Sequence, residues 1–213
     1  MSPDTRQPVS KASPGIFSNR RLIVLIVVLV LVTGALLISR NPTSEDTSTD
    51  NGSASVNEQT LPAAAKQAKQ DLQLPDGWEE IVLKNDQRTP GFVLRAKHDD
   101  PEASAVITSY EGKLEKNFQI KTIPGPLVER FREKVAGFKL VKQEIAKVGG
   151  YDVVKIRYIQ QDDESTFEKL HVVMPTPDAT YYFNFQAAKG QYQKIESEIN
   201  QILEDFAKSV GNA

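Results

Sequence analysis

Residues Thr166–Ala187, TFEKLHVVMPTPDATYYFNFQA, decide how the rest of the chain is read. Leu170, Val172 and Met174 recur at every second position, as do Tyr181, Phe183 and Phe185, with Glu168, Lys169, His171 and Asn184 interleaved among them. A period of two sends successive side chains to opposite faces of a strand, so the segment reads as two strands that share one apolar face. Pro175 to Asp178 lies between them and holds residues that preset or tolerate turn dihedrals, which closes the pair into a hairpin.

The flanking sequence extends the pattern. Lys139–Val148 and Tyr151–Gln161 are β-rich runs separated by Gly149-Gly150. Two glycines suit a two-residue primed turn, which needs positive φ, and predict a second hairpin. Downstream the period changes. Over Gln191–Ser209, Ile195, Ile199, Ile202, Leu203 and Phe206 fall on one helical stripe, while Lys194, Glu196, Glu198, Glu204 and Asp205 take the other side. Upstream, Leu127, Phe131 and Val135 repeat at intervals of four and predict a helix over Pro126–Val135 that stops at Gly137. Leu114–Ile123 is ambiguous between a loop and an edge strand. Before it, strands are expected at Trp78–Leu83, Gly91–Lys97 and Ala103–Tyr110, divided by turn clusters. A short helix is expected at Leu61–Leu72, with Pro62 in its first turn. The order predicts an α+β fold, a mainly antiparallel sheet with helices on its faces.

The N-terminal third has a different character. Leu22–Ile38, LIVLIVVLVLVTGALLI, holds seventeen residues without a charge. As a helix it is about 25 Å long, at the lower edge of what spans a bilayer core. Arg6, Lys11, Arg20 and Arg21 precede it, and no Lys or Arg occurs from Asn41 to Thr60. Counting basic residues puts residues 1–21 in the cytoplasm and everything after the span outside. Small residues at Thr33-Gly34-Ala35 offer the alternative of a signal peptide cleaved after Ala35. The apolar run continues past that point through Leu36, Leu37 and Ile38, which favours an uncleaved anchor. Residues 39–60 are rich in Ser, Thr, Asn and Asp, read as a disordered linker, and reach about 25 Å as a flexible tether. Residues 61–213 form the extracytoplasmic domain. The chain has no cysteine, which excludes disulfides and lipid attachment through cysteine and suits a bacterial envelope. From Gln73 to Ala213, 19 Lys and Arg stand against 22 Asp and Glu, without the basic excess of a nucleic-acid binder.

The opening Leu74-Pro75-Asp76-Gly77-Trp78, the mid-chain helix ending in Gly137-Phe138, the Gly149-Gly150-Tyr151 hairpin, the paired last strands and the closing Ile202-Leu203-Glu204-Asp205-Phe206 together resemble the PsbP/Mog1-like domains, over roughly Leu74 to Val210. The resemblance implies an α/β/α sandwich that binds partners and usually catalyses nothing. It carries over no binding residue, because the members' functions differ. This chain departs from organelle members in having no transit peptide and from lipoprotein members in having no cysteine.

Candidate chemistry is sparse. No Gly-x-Ser-x-Gly elbow occurs, and cysteine catalysis is impossible. His98 is expected in a polar turn and His171 on the outer face of a strand, each structural or solvated, without the second histidine or thiol a zinc site requires. Asp162-Asp163-Glu164 is the best acidic cluster but lacks the glycine and spaced ligands of a calcium loop. No cofactor, metal or catalytic residue is expected. Two segments could serve a partner: the apolar Phe118, Ile120 and Ile123 before Pro124-Gly125-Pro126, and the basic run Arg130, Arg132, Lys134, Lys139, Lys142 and Lys147. The expectation is a membrane-anchored binding or assembly module with the bilayer and an envelope protein as partners. The alternatives are an envelope hydrolase or metal-dependent enzyme, and a purely structural part of a membrane assembly.

Overall fold

Seven antiparallel strands pair in the order β1-β2-β3-β7-β6-β5-β4. The computed structural model describes residues 61–84, 87–115, 118–162 and 165–211. Two meanders meet at their inner strands. The first comprises β1 (Trp78–Glu80), β2 (Phe92–Asp99) and β3 (Glu102–Glu111), and the second β4 (Lys139–Val148), β5 (Tyr151–Gln161), β6 (Thr166–Pro175) and β7 (Ala179–Ala188). The junction is the β3–β7 ladder, which sets Ala105 opposite Phe185 and Ile107 opposite Phe183. Helix α1 (Ala63–Asp71), helix α2 (Pro124–Lys134) and helix α3 (Tyr192–Gly211) complete the fold.

The larger core lies under α1 and α3. Ile107, Leu170, Val172, Phe183 and Phe185 come from one face of the sheet and meet Ile195, Ile199, Ile202 and Phe206 from the stripe of α3. The Phe206 ring packs edge-on against Tyr181 and Phe183, with centroids 5.1 Å away in each case. Ala65 and Ala68 let α1 lie close beside α3 in the same core. A second, smaller group is buried on the opposite face, where Leu127, Val128 and Phe131 of α2 cover Val154, Ile156, Tyr158 and Val173. With helices on both faces, the architecture is the expected α+β sandwich.

The turns hold to their chemistry. Gly149 and Gly150 both have positive φ, 53° and 91°, as a primed hairpin turn requires. The Gly149 N–H donates to Glu204 Oε2 at 2.9 Å, which ties this turn to α3. In the last hairpin the Thr176 hydroxyl donates to the Ala179 carbonyl at 2.8 Å and closes the Pro175–Asp178 turn.

Three expectations are refined. Strand β1 is only three residues long, because after Ile81 the chain leaves the sheet and Val82 is 81% exposed. Leu114–Ile123 forms no strand among its described residues: a single 3-10 turn, Ile120–Thr122, leads into α2, which begins at Pro124. A proline-rich start fixes φ for a first helical turn and supplies no N–H for a ladder, so the helical outcome wins. Glu168, interleaved with the apolar positions in sequence, shares their face and meets Arg157 Nε at 2.6 Å beneath α3. The 22–38 run, residues 1–21 and the 39–60 linker lie outside the described residues. Among those residues no helix is long and apolar enough to cross a membrane.

Candidate functional site

Reading the register across the sheet assembles a surface that the linear sequence does not show. On the α2 side, one row runs Arg95, Val106, Asn184, His171, Ile156, from β2 to β5. The adjacent row runs Lys97, Ser104, Gln186, Lys169, Tyr158. Helix α2 packs on β4 and β5 and reaches β6 through Phe131, whose ring stands edge-on to His171 at 5.2 Å. Arg95, Lys97, Ser104, Val106, Asn184 and Gln186 lie beyond its span and are only half-buried. One half of this face is an apolar contact with a helix, and the other is a polar floor built on rigid strands.

His171 sits at the boundary. Alternation places it opposite the apolar face, and α2 then covers it, leaving it 2% exposed. It is therefore structural rather than solvated: the stripe of α2 turns the outer face of β6 into a second core. Burial pulls its pKa down to about 4, partly countered by the hydrogen bond to Asn184. The ring is neutral at physiological pH, so Nδ1–H donates to Asn184 Oδ1 at 2.6 Å, an oxygen that can only accept. Nε2 is buried without a partner. Lys169, one row away and 6% exposed, has its pKa pushed down to about 8 by burial, while Asp162 opposes the shift through space. Its ammonium lies 5.9 Å from the Phe167 ring centroid.

Several unused hydrogen-bonding groups lie on this side. The Arg95 Nε and the Thr108 hydroxyl are buried without a partner, and no carboxylate among the described residues pairs with Arg95. Lys97, by contrast, bonds Glu79 at 3.2 Å and Asp99 at 3.3 Å. Tyr182 and Tyr110 stack edge-on beyond Thr108, at 5.6 Å.

His98 has a different role from the one a polar turn suggests. It is the last buried residue of β2, packed against Trp78 with ring centroids 5.5 Å apart. Trp78 Nε1 donates to Glu198 Oε2 at 3.0 Å, and His98 Nε2 stands 3.5 Å from the same oxygen. This clip joins β1 and β2 to α3, and the group lacks the ligand count of a metal site. Among the described residues no cluster of three or more His, Asp or Glu side chains could hold a metal ion. Asp162 caps the Ser165 N–H at 2.7 Å, while Asp163 and Glu164 fall outside the described residues.

The segments singled out for a partner are placed as follows. Phe118 is 39% exposed, and Ile120 and Ile123 are half-buried at either end of the 3-10 turn before α2. Arg130, Arg132 and Lys134 ride on α2, and Arg132 pairs with Glu129. Lys139 and Lys142 lie opposite Ile159 and Arg157, so they point to the α3 side of the sheet, where Lys142 bonds Glu144 at 2.7 Å. The basic run is thus divided between two faces. Lys147 returns to the α2 side and pairs with Asp152 at 2.8 Å.

No protein-family profile and no curated protein sequence matches the chain. It is similar to solved structures. LpqN of Mycobacterium tuberculosis, involved in cell envelope biogenesis, is 17% identical, with 63% of this chain and 79% of that one covered and a TM-score of 0.44. Cyanobacterial PsbP (CyanoP) from Synechocystis is 14% identical, with 61% and 79% covered and a TM-score of 0.42. A Pseudomonas aeruginosa protein of unknown function is 15% identical, with 60% and 78% covered and a TM-score of 0.42. A PsbP therefore stands among these similar structures, the group that the motifs of this chain resemble.

Sequence reasoning missed the polar floor. Its members come from β2, β3, β6 and β7 and are related only by register. The signal available was the run of polar residues at alternate positions of β7, Asn184 and Gln186, in an otherwise aromatic strand.

Proposed function

We propose that the protein is a membrane-anchored, extracytoplasmic binding or assembly module without catalytic activity, held to the bilayer by residues 22–38 and presenting residues 61–213 to an envelope partner. The observation that carries the reading is the half-covered α2 face. A sheet side that is dry under a helix on one half and polar on the other, with donors left unmatched, is a rigid surface made for contact, since unmet buried hydrogen-bonding groups cost about 1–3 kcal/mol each. The exposed Phe118 in the loop that leads to α2, and the basic residues of α2 itself, lie in elements on that side of the sheet and supply apolar and charged contacts.

The test is a pull-down from crosslinked membranes with the full-length protein, using residues 61–213 as control. A specific membrane partner enriched with the anchored form and reduced by Phe118→Ser is the expected result. No enrichment with either form sinks the assembly reading.

A further inference from the structure

We propose that the polar floor on the α2 side, centred on Arg95 with Thr108 and Asn184, binds an oxyanion, the carboxylate or phosphate group of a ligand. The inference deepens the reading of the domain as a binding module and rests on it.

The donors are already in place. Arg95 and Asn184 occupy one register row on either side of Val106, and Thr108 is the next residue on that face of β3. Arg95 and Asn184 stand two strands apart, roughly 10 Å between backbones, and Thr108 lies on the diagonal to each at roughly 7–8 Å, a span the long Arg95 side chain can reach across, so the three groups can converge on one small anion. Each faces it with a donor. The Arg95 Nε–H is buried without an acceptor. The Thr108 hydroxyl, in a residue 6% exposed, is likewise unpartnered. Asn184 presents its Oδ1 to His171 on the β6 side, which leaves the Nδ2 hydrogens for the Arg95 side.

The pattern of ion pairing points the same way. Acids do lie nearby: Asp99 and Glu102 oppose each other at the end of β2 and β3, and Glu79 sits opposite Lys97. Lys97 is shared between Glu79 and Asp99, whereas among the described residues no carboxylate pairs with Arg95, and Lys169 feels the through-space field of Asp162. A guanidinium with an unpaired N–H suits an oxygen of a carboxylate or phosphate, in charge-assisted bonds about twice as strong as neutral ones. Solvated orphans would be satisfied by water instead, and then no anion preference would exist.

The test is a titration of the full-length protein, in phosphatidylcholine nanodiscs, with inorganic phosphate and with citrate at constant ionic strength. Saturable binding and a raised melting temperature, absent with chloride, are expected. Arg95→Gln should weaken binding at least tenfold and Thr108→Val severalfold, while Lys208→Gln, on the exposed side of α3, changes it less than twofold. Because Thr108→Val removes an unsatisfied hydroxyl at constant shape, it should leave the melting temperature unchanged or higher, which separates lost binding from lost folding. A second arm repeats the titration in nanodiscs containing phosphatidylglycerol. Competition between that lipid and phosphate assigns the oxyanion to a headgroup, and equal phosphate affinity in both assigns it to a soluble ligand. Responses to chloride equal to those with phosphate, or full binding by Arg95→Gln, overturn the proposal. An anion failure accompanied by a crosslinked partner removes only this inference, whereas anion binding without any partner removes only the assembly role.

Discussion

His171 and Lys169 make opposite use of the same low-dielectric setting. His171 has a folded pKa of about 4, below the 6.5 of an unfolded histidine. Between those values the unfolded chain takes up a proton that the folded chain refuses. Its contribution to stability is complete above pH 6.5 and is lost as pH falls toward 4, by on the order of 3 kcal/mol. His171→Gln, which can still donate to Asn184, should flatten that part of the acid limb in urea melts recorded from pH 7 to 4.5. An unchanged limb would show that the carboxylates alone set it. Lys169 is the counterpart, with a folded pKa of about 8 against 10.5 unfolded. Below pH 8 its buried charge costs stability, and the cost is relieved as pH rises from 8 toward 10.5, because the folded chain deprotonates first. Lys169→Met should therefore raise stability at pH 7 by about 1–3 kcal/mol, and the gain should shrink by pH 9.5. Neither shift was legible in the sequence. The alternation in 166–187 assigns residues to two faces, but whether the second face is wet depends on Leu127, Val128 and Phe131, which lie some forty residues away in the chain.

The elements that sequence fixes best are those whose period and stop signals agree. Helix α3 and the two hairpins of the second meander fall within two residues of expectation, because apolar spacing and turn residues mark the same boundaries. The Gly149-Gly150 turn also carries tertiary information that no local rule contains: a Cβ on Gly149 would lie 2.4 Å from the Ala207 Cβ of α3, whereas one on Gly150 meets nothing within 4 Å. Gly149→Ala should cost about 2–4 kcal/mol and Gly150→Ala about half of that, read from denaturant midpoints. Equal costs would mean that backbone φ alone decides. Trp78 offers a parallel case at β1, a strand too short to hold its edge by ladder bonds. Its indole N–H on Glu198 takes over, and Trp78→Phe should lose about 1–2 kcal/mol, measured by circular dichroism. The failures lie where signals conflict: 114–123 has apolar residues without period, and the basic run 130–147 crosses Gly137 and a pleated strand, so nearness in sequence becomes opposite faces in space.

For the whole molecule, the order of elements and the choice of an α+β sandwich could be read from residues 61–213, because each helix and hairpin declares its own apolar side. The sheet order could not, since antiparallel meanders of three and four strands can be joined at several edges, and only the small Ala103 and Ala105 facing Phe185 and Ala187 hint at the join. The proposed topology makes a prediction at this scale. Protease added outside spheroplasts should remove a C-terminal tag and spare an N-terminal one, and the reverse pattern would invert the orientation argued from Arg20 and Arg21. The join between β3 and β7 has a further consequence in time. In the proposed topology, export from the N-terminal end delivers α1, β1, β2 and β3 first, yet their apolar face is completed by β7 and α3, the last elements to cross. Until then, in that topology, the first meander has only α1 against the face that holds Val93, Ile107 and Trp78, and β3 is unpaired along one edge. In the proposed topology the polar, acidic residues 39–60 reach the outside before it, and the interval before closure is when the chain most needs a holding factor or a fast second meander.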